Sequence, residues 1–301
     1  MRVRWTNPSL SSWLLVACLA GACDGGAAGL DAATPDAAPG DAGARAPAEV
    51  GSDARPARLF SPPAHDGVTE LPLVVVLHGQ TVDATTQDLY FGLTRRARTG
   101  GFYVLLPDGT LNAAGVPHWD VLGNVVDDHA YLRGVIEEVL SVVPVDRGSV
   151  SLVGHSNGAF MAYRLACDSA DLVTGIASLA GSDAVRGCAP STDVSILNIH
   201  GTADSTVSYE AGSIEGLDHA SATDTVQTWA ERVGCDTSAT TTGAPLDLVT
   251  DVDGAETVVT TYEAGCRAGV ELWSMEGADH IPALTPEFTP AVLAWLFDHR
   301  R

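Results

Sequence analysis

The stretch Ser149-Val150-Ser151-Leu152-Val153-Gly154-His155-Ser156-Asn157-Gly158-Ala159 decides how this chain is read. Its first part alternates serine with branched apolar residues and ends on Val153, the pattern of a buried strand. Residues 159–167 then read as a helix. Between them Gly154, Ser156 and Gly158 follow the pattern G-x-S-x-G. A turn from strand to helix in so few residues leaves space only for small neighbours. It lifts the serine to the top of a sheet, at the positive end of the helix that follows. In a chain with 31 Gly the pattern alone says little; the strand before it and the helix after it give it weight.

Strand and helix signals alternate on either side. Leu73-Val74-Val75-Val76-Leu77 is a continuous apolar run that suits a strand buried on both faces. Residues 84–98 read as a helix ended by Gly100-Gly101, and 102–107 as the next strand. Residues 127–142 form an amphipathic helix with Leu132, Val135, Ile136, Leu140 and Val143 on one face, capped by Asp127 or Asp128. Strands at 173–180 and 194–200, a helix at 221–233, late strands at 258–262 and 270–275 and a closing helix at 290–299 complete the pattern. Such alternation predicts an α/β domain with a mostly parallel central sheet and helices on both faces. Sites in such sheets lie beyond the carboxyl ends of the strands. The connection between strands 173–180 and 194–200 leaves no room for a cap domain or lid.

A serine nucleophile needs a base, and the base an orienting carboxylate, met in the chain order Ser, Asp/Glu, His. Asp204 follows the strand 194–200, in His200-Gly201-Thr202-Ala203-Asp204. His280 follows the strand 270–275, in Glu276-Gly277-Ala278-Asp279-His280. Of the nine His, His118 and His129 precede the serine, His200 precedes the acid, His219 follows it with no strand between, and His299 sits in the last helix. Asp279 adjoins the base, and neighbouring loop residues seldom face one another, so Asp204 is the preferred acid. An oxyanion needs preset backbone N–H groups. The sequence offers Asn157, next after the serine, and Gln80 in the loop His78-Gly79-Gln80, with Thr81 as the alternative; His78 reads as a structural hydrogen-bonder. Trp119 falls in a long loop that can reach the site, and it reads equally as a substrate-binding ring or as a core tryptophan.

The amino terminus resembles an export signal over residues 1–23: Arg2 and Arg4, then an apolar run from Leu10 to Ala22 too short to span a bilayer. Leu15-Val16-Ala17-Cys18 and Ala20-Gly21-Ala22-Cys23 both look like lipoprotein processing sites, with Cys23 favoured for lipidation over free secretion. Residues 24–56, rich in Ala, Gly, Pro and Asp, read as a disordered tether, which leaves 57–301 as the catalytic domain. The remaining cysteines, 167, 188, 235 and 266, allow three disulfide connectivities in an oxidising compartment. None shows zinc-ligand spacing, and neither a metal nor a cofactor is expected.

The chain has 16 basic residues against 38 acidic ones, a net charge of −22, and every basic residue is Arg. Residues 57–301 hold 32 of the acids and 12 Arg, so the charge belongs to the domain rather than to the tether. This argues against nucleic acid as a partner and against any membrane contact beyond a lipid anchor. The absence of Lys excludes Schiff-base and Ser-Lys chemistry.

Taken together, Leu77-His78-Gly79, Val126-Asp127-Asp128, the Gly154–Ala159 turn running on to Cys167, His200-Gly201-Thr202-Ala203-Asp204 and Val270-Glu271-Leu272-Trp273 leading to His280 resemble the polyhydroxybutyrate depolymerase/feruloyl esterase family. The resemblance spans residues 70–281. It implies an α/β-hydrolase fold, an exported serine esterase with Ser156, Asp204 and His280 as its triad, and disulfides Cys167–Cys188 and Cys235–Cys266. The implied substrate is a polyhydroxyalkanoate, or alternatively a feruloyl or acetyl-xylan ester. Gln80-Thr81 and Ile281-Pro282 depart from the family pattern, where a Gly-rich turn and an aromatic-Pro pair are usual. The rival readings are an idle hydrolase fold used for binding and peptide cleavage by the same serine.

Overall fold

The computed structural model describes residues 48–185 and 187–301. The segment 1–23, with Cys23, and residues 24–47 lie outside the described residues. The elements run β1 (Glu49–Ser52), β2 (Arg55–Phe60), β3 (Leu71–Leu77), α1 (Ala84–Phe91), α2 (Leu93–Gly100), β4 (Tyr103–Leu106), β5 (Thr110–Leu111) and β6 (Pro117–His118). There follow α3 (Asp128–Val142), β7 (Val145–His155), α4 (Asn157–Asp168), β8 (Gly175–Leu179), β9 (Ser195–Gly201), β10 (Gly212–Ile214), β11 (Leu217–His219) and α5 (Ala222–Arg232). The chain closes with β12 (Thr240–Thr242), β13 (Thr257–Tyr262), β14 (Val270–Met275) and α6 (Phe288–Asp298).

Among the described residues the main sheet has ten strands in the order β1-β2-β4-β3-β7-β8-β9-β14-β13-β12. From β4 to β14 neighbouring strands are parallel; antiparallel pairs flank them at both edges. The apolar run of β3 shows why this sheet needs helices on both sides. Leu73, Val75 and Leu77 face one core with α3 and α4, while Val74 and Val76 face a second core with α1, α2 and α6. All five are fully buried. With one face exposed, the strand would leave two or three of these side chains in water, at about 1.5–3 kcal/mol each.

Two expectations need correction. Residues 84–98 form two helices, not one: the chain breaks at Gly92, whose φ is +70°, and the Asp88 carboxylate accepts the Thr94 N–H that opens α2. The segment assigned to the tether also ends too late. Residues 49–52 and 55–60 form the hairpin β1–β2, which pairs with β4 through Arg58–Phe60. Val50, Ala57 and Leu59 are buried at the sheet edge, so folded structure begins before residue 57. Asp127 is the cap of α3, accepting the Ala130 N–H at 2.9 Å, and Asp128 is buried and turned elsewhere.

The cysteines pair as Cys167–Cys188 and Cys235–Cys266, as the resemblance implies. The first ties the last turn of α4 to the connection after β8; the second ties the end of α5 to the loop before β14. The second closes a span of 31 residues, for which restriction of the unfolded chain gives about 3 kcal/mol. Replacing both Cys235 and Cys266 by Ser should therefore lower the unfolding free energy by about that amount. Equilibrium urea denaturation under oxidising conditions reads it, and a midpoint equal to that of the parent would contradict it.

Candidate active site

Ser156 sits at the tip of β7 with φ +53° and ψ −119°, a region that costs a non-glycine residue about 1–3 kcal/mol. Its neighbours explain the glycines. A Cβ on Gly154 would lie 2.4 Å from the Gly158 carbonyl oxygen, and one on Gly158 would lie 2.2 Å from the Leu77 carbonyl oxygen. Any side chain at either position would push the start of α4 off the sheet. The turn is fixed from outside by the Ser156 N–H, which donates to the Leu179 carbonyl at 2.9 Å.

Three strand ends bring the candidate triad together. Ser156 Oγ lies 2.9 Å from His280 Nε2, and His280 Nδ1 lies 2.8 Å from Asp204 Oδ2. Both contacts fall within the reach that proton transfer requires. The Asp204 side chain is fully buried. Burial opposes its charge, but contacts from His200 and His280 and the amide of Thr206 outweigh that and hold its carboxyl well below the usual carboxylate range. Its Oδ1 accepts the N–H groups of Thr206 and Val207, each at 2.8 Å. Asp279 does not compete: its Oδ1 accepts from the Ser205 amide and hydroxyl and from the His280 amide, which fastens the loop carrying the base.

The candidate oxyanion loop is equally constrained. The Gly79 N–H donates to Gln87 Oε1 at 3.0 Å, and the Thr81 N–H to the Pro117 carbonyl at 3.0 Å. Thr81 is thereby removed as an oxyanion donor, and Gln80 stands between two tethered amides. His78 is buried; its Nδ1 donates to the Gly79 carbonyl and its Nε2 accepts the Gly109 N–H, both at 2.8 Å. It is the structural hydrogen-bonder that the sequence suggests, and burial shifts its imidazole toward the neutral form.

Trp119 is not an open stacking surface. Its side chain is 1% exposed, and its indole N–H donates to the His78 carbonyl at 3.0 Å. Its backbone is clamped by Asn157, whose Oδ1 accepts the Trp119 N–H at 2.6 Å and whose Nδ2 donates to the Trp119 carbonyl at 3.1 Å. Trp119 is nonetheless among the residues lining the cavity of about 290 Å³ beside Ser156.

Two cavities meet at Ser156. One, of about 290 Å³, runs past His118, Asp120, Asn124, Phe160 and Leu217. The other, of about 460 Å³, runs past Val82, Tyr90, His155, His280 and Ile281 and is the more apolar. Gln80, Ser156, Ile214 and Glu215 line both, and the Gln80 side chain donates to Glu215 Oε1 at 3.3 Å across the junction. Ile214 and Glu215 belong to the hairpin β10–β11, which rises from the connection after β9. The sequence reading missed this wall. Its signal is Glu215-Gly216 between Ile214 and Leu217, a two-residue turn between paired apolar residues. Among the described residues no cluster of His, Cys, Asp and Glu could hold a metal ion.

No family model matches the chain. In sequence it is 29% identical to a putative esterase, NocK, of Nocardia uniformis over 52% of this chain and 46% of that protein. It is 31% identical to a probable feruloyl esterase C of Aspergillus niger, over 41% of this chain and 43% of the relative. It is 27% identical to feruloyl esterase B of Piromyces equi, over 73% of this chain and 41% of the relative. The chain thus spans less than half the length of each of these curated relatives. Among solved structures, acetyl xylan esterase from Aspergillus awamori superposes with a TM-score of 0.56 at 16% identity, covering 81% of this chain and 94% of that one. Esterase PE8 superposes with a TM-score of 0.51 at 17% identity, covering 80% and 99%. The chain has the α/β-hydrolase fold. In sequence it is similar, over part of its length, to proteins named feruloyl esterase.

His155 packs against the His280 ring, with ring centroids 5.1 Å apart, and its Nε2 donates to the His280 carbonyl at 3.0 Å. Burial lowers its imidazole to about 4, against about 6.5 in an unfolded chain. The unfolded chain takes up the proton first, so the stabilisation is complete above about pH 6.5 and is lost as pH falls toward 4. His155→Gln should flatten the fall of the unfolding free energy across that window by up to about 1.4 kcal/mol per pH unit. Urea titrations at pH 7, 6, 5 and 4.5 compare the slopes, and equal slopes for the two proteins would rule this out.

Proposed function

We propose that the domain is an exported serine hydrolase of carboxylic esters and that Ser156, His280 and Asp204 are its catalytic residues. The observation that carries this is the unbroken relay from Ser156 Oγ to His280 Nε2 and from His280 Nδ1 to Asp204. His280 Nε2 takes the proton as Ser156 Oγ attacks the ester carbonyl and returns it to the leaving alcohol; water then releases the acid from the acyl-enzyme. Asp204 accepts at His280 Nδ1 and so keeps the imidazole in the correct tautomer and orientation. The Asn157 and Gln80 N–H groups hold the oxyanion. Nearly all turnover depends on the serine, so Ser156→Ala should lower kcat on 4-nitrophenyl acetate by at least about 10³-fold and abolish fluorophosphonate labelling. A folded Ser156→Ala protein with parental activity would refute the assignment, and a folded parent that fails to label would favour an idle binding fold.

Among substrates we favour feruloyl or acetyl esters of polysaccharides over polyhydroxyalkanoate. The relatives named feruloyl esterase support this, and so does the pairing of a polar cavity with an apolar one on either side of Ser156, which suits a sugar alcohol and an aromatic acyl group. A net charge of −20 over residues 57–301 opposes polyanionic chains. A panel of methyl ferulate, acetylated xylan and polyhydroxybutyrate granules should give the largest kcat/KM on methyl ferulate or acetylated xylan. Preferential release from the granules would reverse the ranking.

Export is supported by the two disulfides, which persist in oxidising compartments. Attachment of lipid at Cys23 belongs to the same proposal. Mass spectrometry of the amino-terminal peptide from membranes tests it, with a diacylglyceryl adduct on Cys23 as the expected species and a freely secreted, unmodified form as the contrary one.

A further inference from the structure

The motif Val126-Asp127-Asp128 has no part in the reaction as derived, yet Asp128 is a buried carboxylate. Its Oδ2 accepts the Asp120 N–H at 2.6 Å, and its Oδ1 forms an ion pair with Arg55 Nη2 at 2.6 Å. The same guanidinium donates through Nε and Nη2 to the Asp108 carbonyl at 3.1 and 3.0 Å and lies 3.6 Å over the Tyr131 ring. Asp108 and Asp128 are the two ends of the long excursion between β4 and α3. One arginine, from the amino-terminal hairpin, therefore pins both ends.

Both oxyanion residues hang from that excursion. On the Gln80 side, the Gly109 N–H donates to His78, Trp119 Nε1 to the His78 carbonyl, and Thr81 to the Pro117 carbonyl. Asp108 Oδ1 accepts the Ala84 N–H at 2.7 Å, which closes the far end of the Gln80 loop. On the Asn157 side, the side-chain amide grips the backbone of Trp119 in both directions. The distance between the two donors is thus set by residues 108–128, and their placement by Arg55 and Asp128.

The geometry points to Arg55 and Asp128 as a positioning pair for the oxyanion hole: neither touches substrate, and together they fix the spacing of the Gln80 and Asn157 amides. This rests on the serine-ester reading above. Loss of the pair leaves the triad intact and loosens the donors, which act mainly on the transition state.

The test uses Asp128→Asn and Arg55→Lys in the full chain, with active sites counted by fluorophosphonate. It measures kcat and KM on 4-nitrophenyl acetate, and the Kd of phenylboronic acid, whose tetrahedral adduct on Ser156 needs the same donors. The inference expects kcat to fall about tenfold or more, as displacement of an oxyanion donor does. KM should stay within about twofold, and the boronate should weaken by the same factor as kcat. Val139→Ala, buried near the carboxyl end of the same helix, truncates an apolar side chain without touching the Arg55–Asp128 pair and supplies a destabilised control that keeps kcat per active site. Arg55→Lys retains the charge but not the fork that spans Asp108 and Asp128, so it gives the answer if Asp128→Asn does not fold. Variants that lose stability like Val139→Ala but keep kcat and boronate affinity, or that change only KM, overturn the inference. A parent that neither turns over an ester nor labels removes the serine-ester reading itself, which separates the two failures.

Discussion

The structure depends on the close approach of two backbones, where α4 leaves the tip of β7 beneath β3. Gly158 lies so near the Leu77 carbonyl that a single added carbon would collide with it, and Gly154 is as close to Gly158. This contact forces Ser156 into its strained conformation and presents the side chain above the sheet. The strain is small against the packing that enforces it. Leu152, Phe160, Met161 and Leu165, within a few residues of the turn, are each at most 2% exposed, and burying a side chain of that size contributes about 1.5–3 kcal/mol. The rigid core therefore dictates the serine geometry, and that geometry can persist in the absence of substrate.

Charge is the second constraint. Residues 57–301 have a strong excess of acids, yet the buried Asp204 carboxylate is held in its ionised form beside His280. The protein achieves this locally, with two amides on Asp204 Oδ1 and two imidazoles at Oδ2. Contacts of this kind act within about 3 Å and outweigh the diffuse field of surface acids, which salt screens. Asp279, one residue from His280, is engaged in the same local way: its carboxylate accepts the Ser205 and His280 amides, which holds the loop. The acidity of the surface can then act on molecules that approach without altering the contacts at the strand ends.

How much of this was legible in the sequence follows from how local each feature is. The parallel core was readable because a strand buried on both faces must be apolar at successive positions, as Leu73 to Leu77 are. The candidate triad was readable because each member sits just past a strand and the order along the chain is restricted. The hairpin β10–β11 was not read, since three-residue strands carry almost no periodicity and only the Glu215-Gly216 turn marks it. Nor could the sequence decide for Trp119: its burial comes from a partner 41 residues away, the His78 carbonyl. The division of labour between Asp127 and Asp128 was equally hidden, because capping is local to α3 whereas the partner of Asp128 lies 73 residues earlier in the chain.

The amino-terminal hairpin shows where composition misleads. Residues 24–56 have few large apolar side chains, and an isolated segment of that kind cannot offset its ordering entropy. Residues 49–60 escape the argument because they are not isolated. The register pairs Glu49 with Arg58 and Ser52 with Arg55 around a two-residue turn, and β2 then joins the ladder of β4. Val50, Ala57 and Leu59 face one core and Phe60 packs against the other, so a sparse composition is used efficiently. Arg55 adds a polar reason for the segment to fold: it neutralises Asp128, a charge that would otherwise be buried without a counter-ion. The edge of the sheet is thereby coupled to the loops above Ser156, and a segment that composition assigns to a spacer takes part in shaping the site.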